Sequence, residues 1–359
     1  MATYFSNSST DYFFMPLQSI YWKNGKIVII DQTKLPKKLV YKTLENIDDV
    51  AEAIINMRVR GAPLIGVTAA LGLALVAYKY RRDNRDKALS ELYKAAETLR
   101  KTRPTAVNLF NAIDSVLDIA EKSHDPAKAT IEYAVEMMYR DIEINKKMAE
   151  VGQSIIEDGD IILTHCNTGS LATVSVGTAL GVIIMAHKLG KKIRVYATET
   201  RPKLQGARLT AFELMEEGVD AYLIPDTAVA HTMKTKGVTK VLLGADRILG
   251  DGTLYNKIGT FQIAILAKEM GIEFYTVAPT STFDLKSRRA DVEIEERSPR
   301  EVIYVSECQI APEAIKTFNP AFDETPPEYI TGIVTEYEVL YPPFKESIKK
   351  LFNEIRKGT

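Results

Sequence analysis

Apolar and polar positions divide this chain into two halves with different periods. From residue 160 onward, short apolar runs alternate with stretches of helical spacing, the pattern of βαβ units and a parallel sheet. It predicts strands near 161–165, 193–198, 220–224, 240–244 and 273–278, and helices near 171–189, 205–217, 227–236 and 258–270. The first half opens differently. Ser19-Ile-Tyr-Trp-Lys and Lys26-Ile-Val-Ile-Ile flank Asn24-Gly25, the dipeptide that a type I′ hairpin turn favours because both central residues need positive φ. After Leu39-Val-Tyr-Lys-Thr-Leu, a capping cluster at Asn46–Asp49 starts helical spacing, and further helices are predicted near 63–81, 86–100, 104–122 and 126–157. The expected architecture is α/β. A smaller N-terminal domain (1–147) of a short antiparallel sheet and helices precedes a Rossmann-like domain (148–359) with a mainly parallel sheet. The charged stretch 281–301 reads as a connection, and the proline-rich stretch 312–343 as irregular.

Composition narrows the function classes. A chain of 359 residues with 46% hydrophobic and 26% charged residues is an ordinary globular protein large enough for two domains. Its net charge of -1, with no basic run, argues against nucleic acid or a membrane surface as partner. The two cysteines, Cys166 and Cys308, are too few for a disulfide scaffold, so a reducing cytoplasm is expected. The first residues have neither the basic nor the apolar segment of a signal peptide. The longest apolar stretch, 63–80, is interrupted by Gly66, Thr68 and Gly72 and reads as a buried helix rather than a membrane span.

Candidate chemistry gathers where strands are expected to end, because the carboxyl ends of a parallel sheet form its ligand crevice. Asp160-Ile-Ile-Leu-Thr-His-Cys166-Asn-Thr-Gly169 delivers a thiol there, and Val241-Leu-Leu-Gly-Ala-Asp246 a carboxylate. Taken singly, Cys166 could be core filler and Asp246 a turn former. Arg60-Gly61-Ala62-Pro63 puts a cation and two small residues before a proline-started helix, an anion site by its exposed N–H groups and dipole. Thr102-Arg103-Pro104-Thr105 repeats the arrangement, and the two arginines together look like a phosphate clamp, although solvated charges at ordinary caps would account for either motif alone. Gln205, after Glu199-Thr-Arg-Pro-Lys-Leu, could reach a sugar hydroxyl or simply decorate a helix, and Asn256-Lys257 could complete a polyol and phosphate site. The four histidines are scattered, so no metal site is read, and no Gly-x-Gly-x-x-Gly supports a dinucleotide cofactor.

Collected in order, the chain resembles the family that joins the 5-methylthioribose-1-phosphate isomerases with the regulatory subunits of the exchange factor for eukaryotic translation initiation factor two. The blocks that carry the likeness are Arg60-Gly-Ala-Pro-Leu-Ile-Gly-Val, Thr102-Arg-Pro-Thr-Ala-Val-Asn-Leu, Leu163-Thr-His-Cys-Asn-Thr-Gly, Glu199-Thr-Arg-Pro-Lys-Leu-Gln-Gly-Ala-Arg-Leu-Thr, Gly244-Ala-Asp-Arg-Ile, Asn256-Lys-Ile-Gly-Thr and Phe318-Asn-Pro-Ala-Phe-Asp-Glu-Thr-Pro. The resemblance implies that Arg60, Gly61, Ala62, Arg103, Gln205, Asn256 and Lys257 hold a sugar phosphate. It makes Cys166 and Asp246 a catalytic pair with Asp246 as proton donor, asks for no cofactor, and implies a homodimer. The tail departs, with Thr335-Glu-Tyr-Glu-Val-Leu-Tyr in place of a glycine-containing turn. The rival expectations are a ribose-1,5-bisphosphate isomerase, which would want basic walls where a methylthio group wants apolar ones, and a regulatory subunit without catalysis.

Overall fold

The computed structural model describes residues 16–103 and 106–358. The chain forms two compact units: residues 16–145 together with 169–177, and residues 146–168 together with 178 onward.

In the first unit, β1 (Ile20–Lys23), β2 (Lys26–Ile30) and β3 (Tyr41–Leu44) form an antiparallel sheet in chain order. Asn24 and Gly25 sit at φ 51° and 76°, the two positive values that the hairpin pattern demands. Asn46 caps α1 (Ile47–Ile55) by accepting from Asp49 N at 2.9 Å. There follow α2 (Ala62–Lys79), α3 (Arg85–Arg100), α4 (Val107–Lys122) and α5 (Pro126–Gly152). Helix α2 is long and apolar enough to cross a membrane, yet 14 of its 18 residues are buried against α1, α3 and α4. An all-round apolar helix of that kind is the centre of a core.

The second unit holds the larger sheet. Its strands are β4 (Ile161–Thr164), β5 (Arg194–Thr198), β6 (Asp220–Ile224), β7 (Lys240–Gly244), β10 (Glu273–Val277), β15 (Gly332–Val334) and β16 (Val339–Leu340). The spatial order is β16-β15-β10-β7-β4-β5-β6, parallel throughout except for β16. A four-stranded sheet, ordered β11-β8-β9-β14, comprises β8 (Arg247–Leu249), β9 (Leu254–Lys257), β11 (Phe283–Asp284) and β14 (Phe322–Thr325). A small hairpin joins β12 (Tyr304–Val305) to β13 (Cys308–Gln309). The helices are α6 (Ala179–Lys188), α7 (Ala211–Glu216), α8 (Val229–Lys236), α9 (Thr260–Glu269), α10 (Arg300–Ile303) and α11 (Phe344–Gly358). Leu163 of β4, Val241 and Leu243 of β7, Phe274 of β10 and Ile333 of β15 are buried together in the core.

Three expectations are corrected. The helix expected over 171–189 begins only at Ala179; residues 169–177 instead form a loop closed by a Gly169–Gly177 bridge. Its Leu-Ala-Thr-Val-Ser-Val run is poor in helix formers, and its backbone finds other partners. Ser19 N donates to Val174 O at 2.8 Å, Gln32 Nε2 to Leu171 O at 2.8 Å, and Val174 N to Asp141 Oδ2 at 2.8 Å. The helix expected from 104 has its first turn at Val107, after Ala106 and without a side-chain cap, while Thr102 Oγ1 donates back to Leu99 O; Pro104 and Thr105 lie outside the described residues, as do the first fifteen. The proline-rich stretch carries β14, β15 and β16. These strands are two to four residues long, too short to show a period, and Pro326 and Pro342 fall just outside them.

Candidate active site

Strand register puts the candidate residues of the second unit at one end of the large sheet. Leu163 pairs with Val241 and Thr164 with Ala197, so His165-Cys166, Thr198-Glu-Thr200 and Ala245-Asp246 leave three adjacent strands at their carboxyl ends. Neighbouring strands lie about 5 Å apart, so these loops are within side-chain reach of one another.

Cys166 stands on strained backbone. Its φ is 65°, uncommon for a residue with a side chain and costing on the order of 1–2 kcal/mol, so surrounding contacts must hold it. They do so on both faces of the residue. Cys166 N donates to Thr200 Oγ1 at 2.9 Å, and Thr210 Oγ1 donates to Cys166 O at 2.6 Å. The thiol is free and partly exposed. Thr200 itself has φ 64°, a genuine outlier for a β-branched residue. The Asp226 carboxylate fixes it, accepting from Thr200 N at 2.8 Å and Arg201 N at 2.6 Å. Thr210 closes a π-helical turn, Gly206–Thr210, a feature common at functional sites. A Cβ on Gly206 would lie 1.7 Å from Thr198 O, so only glycine lets this turn approach β5.

Three further residues here were not legible as site residues. His165 is buried, with Nδ1 2.6 Å from Thr198 Oγ1 and Nε2 2.9 Å from Ile258 O. Burial lowers its pKa; the Ile258 hydrogen bond and the charge of Asp226 oppose that shift, and Lys257 adds to it. The ring is therefore neutral, and because a carbonyl only accepts, its proton sits on Nε2. Asn167, also buried, donates from Nδ2 to Glu213 Oε1 at 2.7 Å and Thr210 Oγ1 at 3.2 Å. Asp323 reaches from β14 to the start of α9, accepting from Gly259 N at 2.7 Å and Phe261 N at 3.1 Å. Desolvation pushes its carboxyl up to about 6, against the pull of those two hydrogen bonds and of Lys257. The only sequence signal for any of them is membership of a block that carries the family likeness.

The residues foreseen from sequence have mixed surroundings. Asp246 is exposed, just past β7, with its N–H donating to Tyr255 O at 3.0 Å. The glycine-containing stretch after it forms a β8–β9 hairpin. Asn256 is buried and donates to Thr260 Oγ1 at 3.0 Å. Lys257 Nζ donates to Ala321 O at 2.9 Å and lies 4.5 Å from the centre of the Phe322 ring. Gln205 keeps its amide Oε1 buried with no hydrogen-bond partner among the described residues. A buried acceptor of that kind costs about 1–3 kcal/mol until a donor meets it, and a hydroxyl of a bound polyol is a suitable donor.

In the first unit, Gly61 is the N-cap of α2 at φ 95°, with Ala62 opening the helix and Pro63 in its first turn. A Cβ on Gly61 would lie 2.3 Å from Ala172 O, so the Arg60-Gly61 turn is packed tightly on the 169–177 loop. Arg60 and Arg103 are both partly exposed, each just before a helix start, Arg103 accepting at its carbonyl from Ala106 N at 3.0 Å. Two depressions, of about 510 and 250 Å³, lie at the amino ends of the second unit's strands, around Ile161 and Arg194 and around Glu273 and Thr331. None of the residues singled out from sequence lines them. Among the described residues no three His, Cys, Asp or Glu side chains are grouped to hold a metal.

Comparison with known proteins adds a family. The model of the Initiation factor 2 subunit family matches residues 58–342. Over 343 residues the chain is 48% identical to the methylthioribose-1-phosphate isomerase of Carboxydothermus hydrogenoformans, covering 94% of this chain and 99% of that one. The crystal structure of 5-methylthioribose 1-phosphate isomerase from Pyrococcus horikoshii superposes with a TM-score of 0.91 at 41% identity, over 97% of this chain and 99% of that one. A crystal structure described as translation initiation factor eIF-2B, subunit delta, from A. fulgidus superposes with a TM-score of 0.87 at 46% identity, over 94% and 99%. The chain belongs to the initiation factor 2 subunit family, among relatives of nearly its own length that carry the isomerase name.

Proposed function

We propose that this protein converts the aldose 5-methylthioribose 1-phosphate to the ketose 5-methylthioribulose 1-phosphate, on a Rossmann-like domain. The observation that carries the reading is near-half identity, over almost the full length, to a relative named for that reaction. The geometry supports it, because a clamped, partly exposed thiol at a strand's carboxyl end is what a hydrogen shift at a bound sugar needs. The substrate's C1 oxygen is esterified, so its ring cannot open spontaneously to a free aldehyde. In this reading Asp246 protonates the ring oxygen as the furanose opens, and Cys166 manages the hydrogen that moves from C2 to C1. Gln205 Oε1 takes a sugar hydroxyl, which its buried, unmet acceptor favours. Arg60, the Gly61 and Ala62 backbone, Arg103, Asn256 and Lys257 are assigned to the phosphate and the sugar's polar edge. The same reading makes the protein a cytoplasmic homodimer.

Incubation of the purified protein with 5-methylthioribose 1-phosphate, followed by product identification, tests the reaction directly. Cys166→Ser and Asp246→Asn should remain folded and lose turnover, and near-normal turnover by either removes that residue from the mechanism. The A. fulgidus structure's name favours a second reading, a subunit that regulates an initiation factor without catalysis. Tight binding of that factor with no turnover of the sugar phosphate would select it.

A further inference from the structure

Four groups behind the thiol form a single directed chain of hydrogen bonds. With the proton of His165 on Nε2, toward Ile258 O, its Nδ1 can only accept, so the Thr198 hydroxyl 2.6 Å away must donate to it. Thr198 Oγ1 then has lone pairs for the Thr200 hydroxyl, 3.1 Å away. Thr200 Oγ1, having given up its own hydrogen, accepts the Cys166 N–H at 2.9 Å. The Thr200 hydroxyl also lies 3.4 Å from Thr198 O, but its contact with Thr198 Oγ1 is the shorter, and the order runs from the Cys166 amide through Thr200 and Thr198 to the ring. His165, Thr198 and Thr200 are each at most 2% exposed, so water does not compete along the way. The chain terminates on Ile258 O, between the Asn256-Lys257 pair and the start of α9.

Resting on the reading of Cys166 as a participant in the isomerisation, we infer that His165 is a positioning residue that, through Thr198 and Thr200, holds the strained Cys166 backbone and so sets the direction of its thiol. His165 touches no reacting atom. It is the immediate neighbour of Cys166 in sequence, but their side chains have different tasks: one is buried and satisfied at both nitrogens, the other is a free thiol on a partly exposed residue whose backbone the first maintains. Relaxing Cys166 from φ 65° would displace Sγ, and a misplacement of about an ångström can cost about 100-fold in rate.

The experiment uses the full chain carrying Cys308→Ser, so that Cys166 is the one remaining thiol, with circular dichroism confirming the fold of each variant. Thr200→Val cuts the chain at its middle, His165→Phe removes its end, and Thr200→Ser restores the hydroxyl. Two quantities are measured: kcat and KM for 5-methylthioribose 1-phosphate, and the rate of Cys166 alkylation by iodoacetamide, which needs no turnover. Thr200→Val and His165→Phe should each lower kcat by about 100-fold while KM stays within about threefold, and should shift the alkylation rate at least threefold; Thr200→Ser should return both toward the parent. The inference is overturned if folded Thr200→Val and His165→Phe keep the parent's alkylation rate, or if Thr200→Ser fails to recover what Thr200→Val loses. A parent that turned over no sugar phosphate would remove the isomerase reading, and the alkylation rates alone would then decide the positioning.

Discussion

The two ends of the large sheet both bury polar groups, and they do so by opposite means. At the amino end, Lys240 is buried with its ammonium 3.0 Å from Asp160 Oδ2 and 3.4 Å from Glu273. Thr239 Oγ1 donates to Asp160 Oδ1 at 2.7 Å, and Glu157 N to its Oδ2 at 2.7 Å. Burial works against the Lys240 charge, but the hydrogen bond and charge of Asp160, helped by Glu273, outweigh it and raise the pKa. At the carboxyl end the buried partners of Cys166 are neutral, a ring and hydroxyls, and the backbone is held at positive φ at Cys166 and Thr200. At the amino end, charge is balanced by charge. At the carboxyl end, the hydrogen bonds of hydroxyls and a ring, together with the Asp226 carboxylate, hold the strain at Cys166 and Thr200.

The largest effect expected from that contrast is at the amino end. Lys240→Met leaves the Asp160 carboxylate buried without its cation, which should cost about 3–5 kcal/mol of unfolding free energy. Denaturant titration measures it, and turnover per folded molecule should be unchanged. A variant that stays stable but loses turnover would show that this end is not merely structural.

Legibility in the sequence divides along the same line. The five parallel strands β4, β5, β6, β7 and β10 and the hairpin turn were readable because apolar runs and Asn-Gly are local signals, and β4 is observed at Ile161–Thr164 and β7 at Lys240–Gly244. The 169–177 loop was not readable, because its backbone is satisfied by Ser19, Gln32 and Asp141, residues far away in the chain. The short strands β14 to β16 were hidden for a related reason, since two to four residues cannot show a period. At the site, Cys166 and Asp246 could be picked out because each stands two residues past the end of an apolar strand. His165 could not, because a histidine's role depends on which carbonyl and which hydroxyl its nitrogens meet. Asp323 was invisible as well: its task is to cap α9, a helix that starts more than sixty residues earlier.

Asp323 gives the next largest effect and separates the two ends by pH. Its folded pKa of about 6 lies above the ordinary 3.8, so its contribution to stability is fully present below about pH 4 and is lost as pH rises through 6. Lys240 is raised from 10.5, so its contribution persists across that whole window and disappears only in strong alkali. Between pH 4 and 7, the stability of the parent relative to Asp323→Asn should therefore decline, by on the order of 3 kcal/mol at most. Parallel pH profiles for the parent and Asp323→Asn would mean that the carboxyl is better solvated than its burial implies.

The smallest effect expected is at Glu273, the outer member of the amino-end knot. Its side chain is 46% exposed and 3.4 Å from Lys240, whereas Asp160 is 6% exposed and 3.0 Å away. Solvent screens the outer pair, so Glu273→Gln should change stability by no more than about 0.5 kcal/mol and leave turnover alone. Its value lies in the ratio to Lys240→Met. If the two substitutions cost the same, the ammonium depends equally on both carboxylates, and the amino end is a shared surface network rather than a buried pair with an accessory. A large ratio places the stabilisation in the desolvated Asp160 contact and leaves Glu273 as an exposed charge beside it.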